Sequence, residues 1–332
     1  MSNAITSAPM NLDAALQRAL LCSRYMQRLL DSDSTLRPWL REQLAQPGSA
    51  AEIASWLAAM PVSDEASLSC ALRQLRKRVM LKLILRDLNG LADLNEVTTT
   101  MSALAEVCLQ QAQTFTMNTL VAQHGYPVGE MSGTPQTMLV IGMGKLGGRE
   151  LNVSSDIDLI FIYGEDGNSN GARSISNHEF FSKLGRRLIA LIGDLTEDGY
   201  VFRVDMRLRP YGDSGPLVMS LAALEEYLVE QGREWERYAW IKARVVSVGD
   251  DTALMQLTQP YIFRKYLDYG AFASMRKLHE QIRQEVQRRW LGGIGAFTLV
   301  LHTWTQDLRR HLHVHALMAC GALQRAGDGD GV

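Results

Sequence analysis

The sequence predicts an α+β chain in three stretches: a helical arm, a compact α/β unit built on a glycine turn, and further helices. Three observations carry this reading. Apolar residues recur at three- and four-residue steps through the first 130 residues. Two strand-length apolar runs bounded by breakers follow from Met138. Helical spacing then returns after Leu221.

In order along the chain, Leu12, Leu16, Ala19, Cys22, Met26 and Leu29 draw one apolar stripe down a single helix. A second helix covers Leu68 to Leu88, and its polar positions are basic: Arg73, Arg76, Lys77, Arg78, Lys82 and Arg86. A solvated or intramolecular face accounts for them better than a partner does. Leu104, Cys108, Ala112 and Phe115 continue the period in a third helix. Gly125-Tyr-Pro and Ser132-Gly-Thr-Pro break it with turn chemistry. Strands are expected at Met138–Ile141, Asp158–Tyr163 and Tyr200–Arg207, with a helix at His178–Ile192. Helices follow at Leu221–Gln231, Glu234–Val246 and Met275–Trp290. Residues 1–130 read as the arm, 131–250 as the core, 251–290 as a helical extension and 291–332 as a divergent tail.

Composition narrows the class without naming a chemistry. Hydrophobic residues at 46% and charged residues at 21% match a folded globular chain and exclude a disordered one. Lys+Arg 34 against Asp+Glu 36 leaves a net charge of -2, so no global basic field recruits nucleic acid. Cys22, Cys70, Cys108 and Cys320 lie far apart, which excludes a sequence-local zinc knuckle and argues against a disulfide framework. There is no membrane-length apolar run and no signal peptide, so a cytoplasmic location is expected.

Gly142-Met-Gly144-Lys145-Leu-Gly147 satisfies G-x-G-x-x-G after a strand, so a dinucleotide site must be weighed. Its spacing is wrong, because only Gly148 to Ser155 separate the turn from Asp156, too few for a crossover helix. The alternative explains more residues. Asp156 and Asp158 flank Ile157, so on a strand both project to one face, an arrangement a divalent cation favours. The glycines upstream suit phosphate. Asp205, on another predicted strand, supplies a third acid and completes the layout of a two-metal phosphoryl or nucleotidyl transfer site. Arg207 and Arg209 read as phosphate ligands before ion-pair partners, whereas Lys242 and Arg244 fit either role.

The stretch Gly142-Met-Gly-Lys-Leu-Gly-Gly-Arg-Glu-Leu-Asn-Val-Ser-Ser-Asp-Ile-Asp-Leu-Ile-Phe161 resembles the signature of the glutamine synthetase adenylyltransferase/adenylyl-removing family. Further blocks resemble it at Arg203–Val218, Gly232–Val246 and Phe263–Asp268. The resemblance implies a polymerase-β-like nucleotidyltransferase core, a small mixed sheet with helices, flanked by N-terminal and C-terminal helical regions. Members carry two catalytic halves, one removing AMP from a tyrosine of glutamine synthetase by phosphorolysis with release of ADP, the other adding AMP from ATP. The helical arm, Met206-Arg-Leu-Arg-Pro210 and Trp240-Ile-Lys-Ala-Arg244 resemble the N-terminal, adenylyl-removing half.

By position in the motifs, Asp156 and Asp158 are expected to hold Mg²⁺, with Asp205 completing the metal site and orienting the attacking oxygen. Gly144, Lys145, Gly147, Ser155, Arg207, Arg209 and Lys242 are expected to bind the phosphate or nucleotide. The implied partners are glutamine synthetase, a PII signalling protein, phosphate and ADP or ATP. Adenylyl transfer from ATP, or a silent fragment that only binds glutamine synthetase or the PII protein, are the alternatives. Where the family runs on as Gly-Gly-Ile-Arg-Glu-Ile-Glu-Phe, this chain departs after Leu291-Gly-Gly-Ile294, and a change of reading frame there is expected. On that reading His302, His311, His313 and His315 are accidental.

Overall fold

Side-chain caps set where the helices begin. Ser23, Ser49, Asp64, Asp93, Ser176 and Ser220 each accept a hydrogen bond from the backbone N–H three residues on. The computed structural model describes residues 12–44, 46–263, 269–286, 294–302 and 313–323. It divides into two bodies, Met1–Gln231 with Lys242–Leu257, and Gly232–Ile241 with Thr258–Val332.

The first body opens with α1 (Leu12–Cys22), α2 (Arg24–Ser32), α3 (Leu36–Gln43), α4 (Ala50–Ala58), α5 (Glu65–Leu88) and α6 (Leu94–His124). The single helix expected over residues 12–29 is broken at Ser23, which receives Met26 N–H at 3.2 Å and starts a new helix. Leu16, Ala19 and Met26 still share one core, while Cys22 turns to solvent. The basic face of α5 is intramolecular. Lys82 pairs with Glu52 at 2.8 Å, Arg86 with Glu96 at 2.6 Å and Lys77 with Asp198 at 2.6 Å. Arg78 lies over the Trp39 ring, and Arg76 over Tyr200 and Phe202.

The α/β unit holds β1 (Pro127–Gly129), β2 (Met138–Gly142), α7 (Gly144–Gly147), β3 (Ile157–Tyr163), β4 (Gly167–Ser169) and α8 (Asn177–Gly193). After these come β5 (Val204–Asp205), β6 (Val218–Ser220), α9 (Leu221–Glu230) and, after residues 232–241, β7 (Arg244–Val245). β2 lies between β3 and β7, antiparallel to both. β5 and β6 run parallel to β3 in tandem along its other edge, β5 beside Ile157–Asp158 and β6 beside Phe161–Tyr163. β3 is buried except at Asp158, and one apolar cluster joins it to α5, α6 and α8. Each fully buried phenylalanine there, such as Phe161, Phe180 or Phe181, contributes about 1.5–3 kcal/mol.

Two predicted elements change. The strand expected at Tyr200–Arg207 is paired only at Val204–Asp205. Val201 and Phe202 N–H groups go instead to the Ile192 carbonyl, and a turn closes from Met206 to Arg209. The helix expected at Glu234–Val246 stops at Trp240, and Arg244–Val245 joins β2 as an edge strand. Tertiary pairing overrides a helical local pattern there.

The second body contains α10 (Glu234–Trp240), the end of α11 (Thr252–Ile262), α12 (Tyr269–Val286), and a hairpin of β8 (Ile294–His302) with β9 (His313–Leu323). Tyr238 hydrogen-bonds His279 at 3.2 Å, and Tyr261 Oη donates to Arg233 O at 3.0 Å. The predicted helix end at Trp290 and most of the Phe263–Asp268 block lie outside the described residues. Among the described residues no helix is long and apolar enough to cross a membrane.

Candidate functional site

β2 ends in glycine because the chain must turn in a confined space. Met143 N–H donates back to Asp158 O at 2.9 Å, and Gly144 takes φ +51°. One helical turn, α7, follows. A Cβ at Gly147 would run into the Lys242 carbonyl oxygen and lie 2.5 Å from Gly142 O, so only glycine fits. A Cβ at Gly144 would lie 3.3 Å from Asp158 Oδ2, so the turn backs directly onto that carboxylate. Arg244 pins the turn, donating to Gly147 O at 3.0 Å and Leu146 O at 3.1 Å while pairing with Glu106 of α6 at 2.5 Å.

The three predicted acids lie along one edge. Asp158 of β3 stands in register with Asp205 of β5, and Asp156 precedes β3 by one residue. Their environments differ. Burial pushes the Asp158 carboxyl above the usual carboxylate range, and the charges of Asp205 and Asp156 push it further. Hydrogen bonding from Arg207 holds Asp205 below that range. Arg207 donates from its backbone N at 2.8 Å, from Nε at 2.9 Å and 3.0 Å, and from Nη2 at 2.5 Å, covering both Asp205 oxygens. Arg203, unassigned by the motif reading, pairs with exposed Asp156. Its only sequence signal is the alternation Arg203, Asp205, Arg207.

Among the described residues, no three His, Cys, Asp or Glu side chains converge as a metal-holding group, and Asp156 and Asp205 are each paired with an arginine. The donor set nonetheless suits a hard divalent cation: three carboxylates, one of them destabilised in its charged form by burial and then by the other two. Arg203 and Arg207 side chains are 58% and 74% exposed, so either can turn away without breaking the core.

The remaining predicted ligands separate. Lys145 Nζ donates to Ser155 Oγ at 3.2 Å, which brings these two together beside the turn. Lys242 lies beyond α10, not on a helix, and pairs with Glu150 at 2.6 Å. Arg209 is taken up by its own loop: its guanidinium, 12% exposed, donates to Met206 O at 2.8 Å, Asp213 O at 3.0 Å and Gly215 O at 3.4 Å. It braces the backbone instead of facing solvent, unlike Arg207.

Fold and side chains together define an α+β protein whose sheet edge sets acids and exposed arginines beside a glycine turn. Residues 14–259 match the family model for Glutamate-ammonia ligase adenylyltransferase, and the chain belongs to that family. It is 56% identical over 281 residues to the bifunctional glutamine synthetase adenylyltransferase/adenylyl-removing enzyme of Chromobacterium violaceum, covering 85% of this chain and 31% of that protein. The enzymes of the same name from Nitrosomonas eutropha and Bordetella pertussis are 55% and 47% identical, over 81% and 83% of this chain and 30% and 31% of theirs. The chain thus spans about a third of the length of these relatives.

Residues 295–330 match a different family model, described as "Putative transposase". The match begins one residue after Ile294, where the chain departs from its own family's pattern. His302, His311, His313 and His315 all fall inside the matched segment, and His311 lies outside the described residues.

Proposed function

We propose that this chain carries the adenylyl-removing activity of its family: phosphorolysis of AMP from an adenylylated tyrosine of glutamine synthetase, with release of ADP. The observation that carries the reading is the in-register pair Asp158 and Asp205 beside Gly144, with Arg207 on the second acid. Asp156, Asp158 and Asp205 are the residues that would hold Mg²⁺, which when bound neutralises charge on the phosphates. Arg207, turned from Asp205, grips the incoming phosphate through a bidentate contact. Lys145 adds a point charge beside Ser155, and the bare Gly144 backbone leaves room for phosphate oxygens. Lys242, released from Glu150, would add a second cation, and Arg209 and Gly147 keep the surrounding loops in place.

Asp205 orients the attacking oxygen. A bond forms from that phosphate oxygen to the adenylyl phosphorus as the bond to the tyrosine oxygen breaks. The tyrosine leaves as its hydroxyl, taking a proton that the phosphate gives up, and the AMP moiety leaves as ADP. Glutamine synthetase is then the protein substrate, and a PII signalling protein the expected regulator.

The test is purified chain with Mg²⁺, phosphate and adenylylated glutamine synthetase. ADP should form, and Asp156→Ala should abolish it. Undiminished ADP release by the variant would show the acid assignment to be wrong. Incorporation of AMP from ATP into unmodified glutamine synthetase would select the opposite reaction, and binding without turnover a silent fragment.

A further inference from the structure

Tyr211 takes φ +62° and ψ +7°, the left-handed region that a bulky side chain adopts only where its surroundings enforce it. The enforcement is visible. Hydrogen bonds from Arg209 N to Met206 O, Gly212 N to Arg209 O and Gly215 N to Gly212 O fold residues 206–215 into successive tight turns. The Arg209 guanidinium fills the loop from within. A Cβ at Gly215 would run into the Pro210 carbonyl oxygen and lie 3.0 Å from Tyr211 Cβ, so the loop closes against Tyr211 itself.

All this bracing holds up a ring that is not buried. Tyr211 is 53% exposed, steadied from one side by an edge-to-face contact with Tyr227 at 4.6 Å between centroids. Glycine or asparagine would remove the strain, so packing alone does not explain the tyrosine. Its neighbour Gly212, one Cα step of about 3.8 Å away, has its Cβ position 3.7 Å from Arg207 O, and Arg207 N bonds Asp205. The Tyr211 backbone is thus tied through Gly212 and Arg207 to the loop that carries Asp205.

We propose that Tyr211 is the platform on which the adenine base of the adenylyl group stacks, an inference that rests on the adenylyl chemistry proposed above. A nucleotide gripped at its phosphate by Arg207 extends its base away from the acids, across the 206–215 loop. The base is also the one flat group shared by the adenylylated protein, ADP and ATP, so a fixed aromatic face serves each of them.

The experiment is calorimetric binding of ADP and, separately, of diphosphate to the full chain, comparing wild type with Tyr211→Gly, Tyr211→Phe and Tyr211→Trp. Glycine adopts φ +62° freely, so Tyr211→Gly removes the ring while relieving strain, and a thermal melt checks its fold. It should weaken ADP about 5- to 150-fold and leave diphosphate unchanged. Tyr211→Phe should match wild type, and Tyr211→Trp should bind with quenched fluorescence. Equal ADP affinity for wild type and Tyr211→Gly, or an equal loss of ADP and diphosphate, overturns the platform while leaving the phosphorolysis reading in place. If wild type binds no ADP, both fall.

Discussion

Arg73 should be among the most costly residues to lose in the first body. It is 1% exposed, and its hydrogen bonds go to backbone carbonyls and the Ser69 hydroxyl rather than to a carboxylate. Its guanidinium donates to Gly199 O at 2.7 Å, Leu191 O at 3.1 Å and Asp194 O, and to Ser69 on its own helix. Leu191 and Asp194 lie at the C-terminal end of α8, whose last carbonyls have no partner within the helix. Arg73→Met keeps much of the volume and removes every donor. Four carbonyls, three of them outside α5, lose a charged partner at once, and with some relaxation the cost is about 3–5 kcal/mol. At about 2–4 °C per kcal/mol for a body of this size, the melting temperature should fall by about 6–20 °C. Thermal melts and urea titrations read this directly, with Arg78→Met, which loses a cation–π contact to Trp39 and a charge near exposed Asp33, as the mild comparison. If Arg73→Met is within about 1 kcal/mol of wild type, the claim that Arg73 ties α5 to the end of α8 is wrong.

The site makes its own predictions. A carboxyl whose folded pKa is raised loses stability as pH rises through that pKa, so ionised Asp158 destabilises the fold at neutral pH. Asp158→Asn should therefore melt higher than wild type at pH 7, and the gain should fade as pH falls through that raised pKa and be gone below about 4, where the unfolded carboxyl also protonates. Gly147→Ala forces a methyl group onto backbone oxygens and should cost about 1–3 kcal/mol, seen as a lower melting temperature. Gly90→Ala, which meets nothing within 4 Å but has φ +68°, should cost only about 1 kcal/mol.

Helical period made α5, α6 and α8 legible, because their apolar stripes run long enough to outvote local noise. The acids are legible as a spacing: Asp156 and Asp158 flank one residue and Asp205 follows on another strand-length run, and β3–β5 pairing aligns the last two. What spacing does not encode is which groups engage one another. Arg203 on Asp156, and Arg244 bridging the glycine turn to Glu106, join residues 47 and 138 positions apart, beyond any local signal. The same limit explains the elements that changed. Val204–Asp205 and Arg244–Val245 are two-residue strands made by their neighbours rather than by their own propensity. Arg209 shows it for a side chain: its motif position suggests phosphate, but a loop folded around it takes its donors. The tail differs in kind, since its sequence follows another family's pattern.

Under the proposed phosphorolysis, phosphate and not water takes the adenylyl group from the modified tyrosine. Incubating the chain and Mg²⁺ with adenylylated glutamine synthetase and ³²P-labelled phosphate separates the two. Label should appear in the β-phosphate of ADP, in step with loss of AMP from the protein. Release of unlabelled AMP, or no release under conditions where the substrate binds, would contradict it.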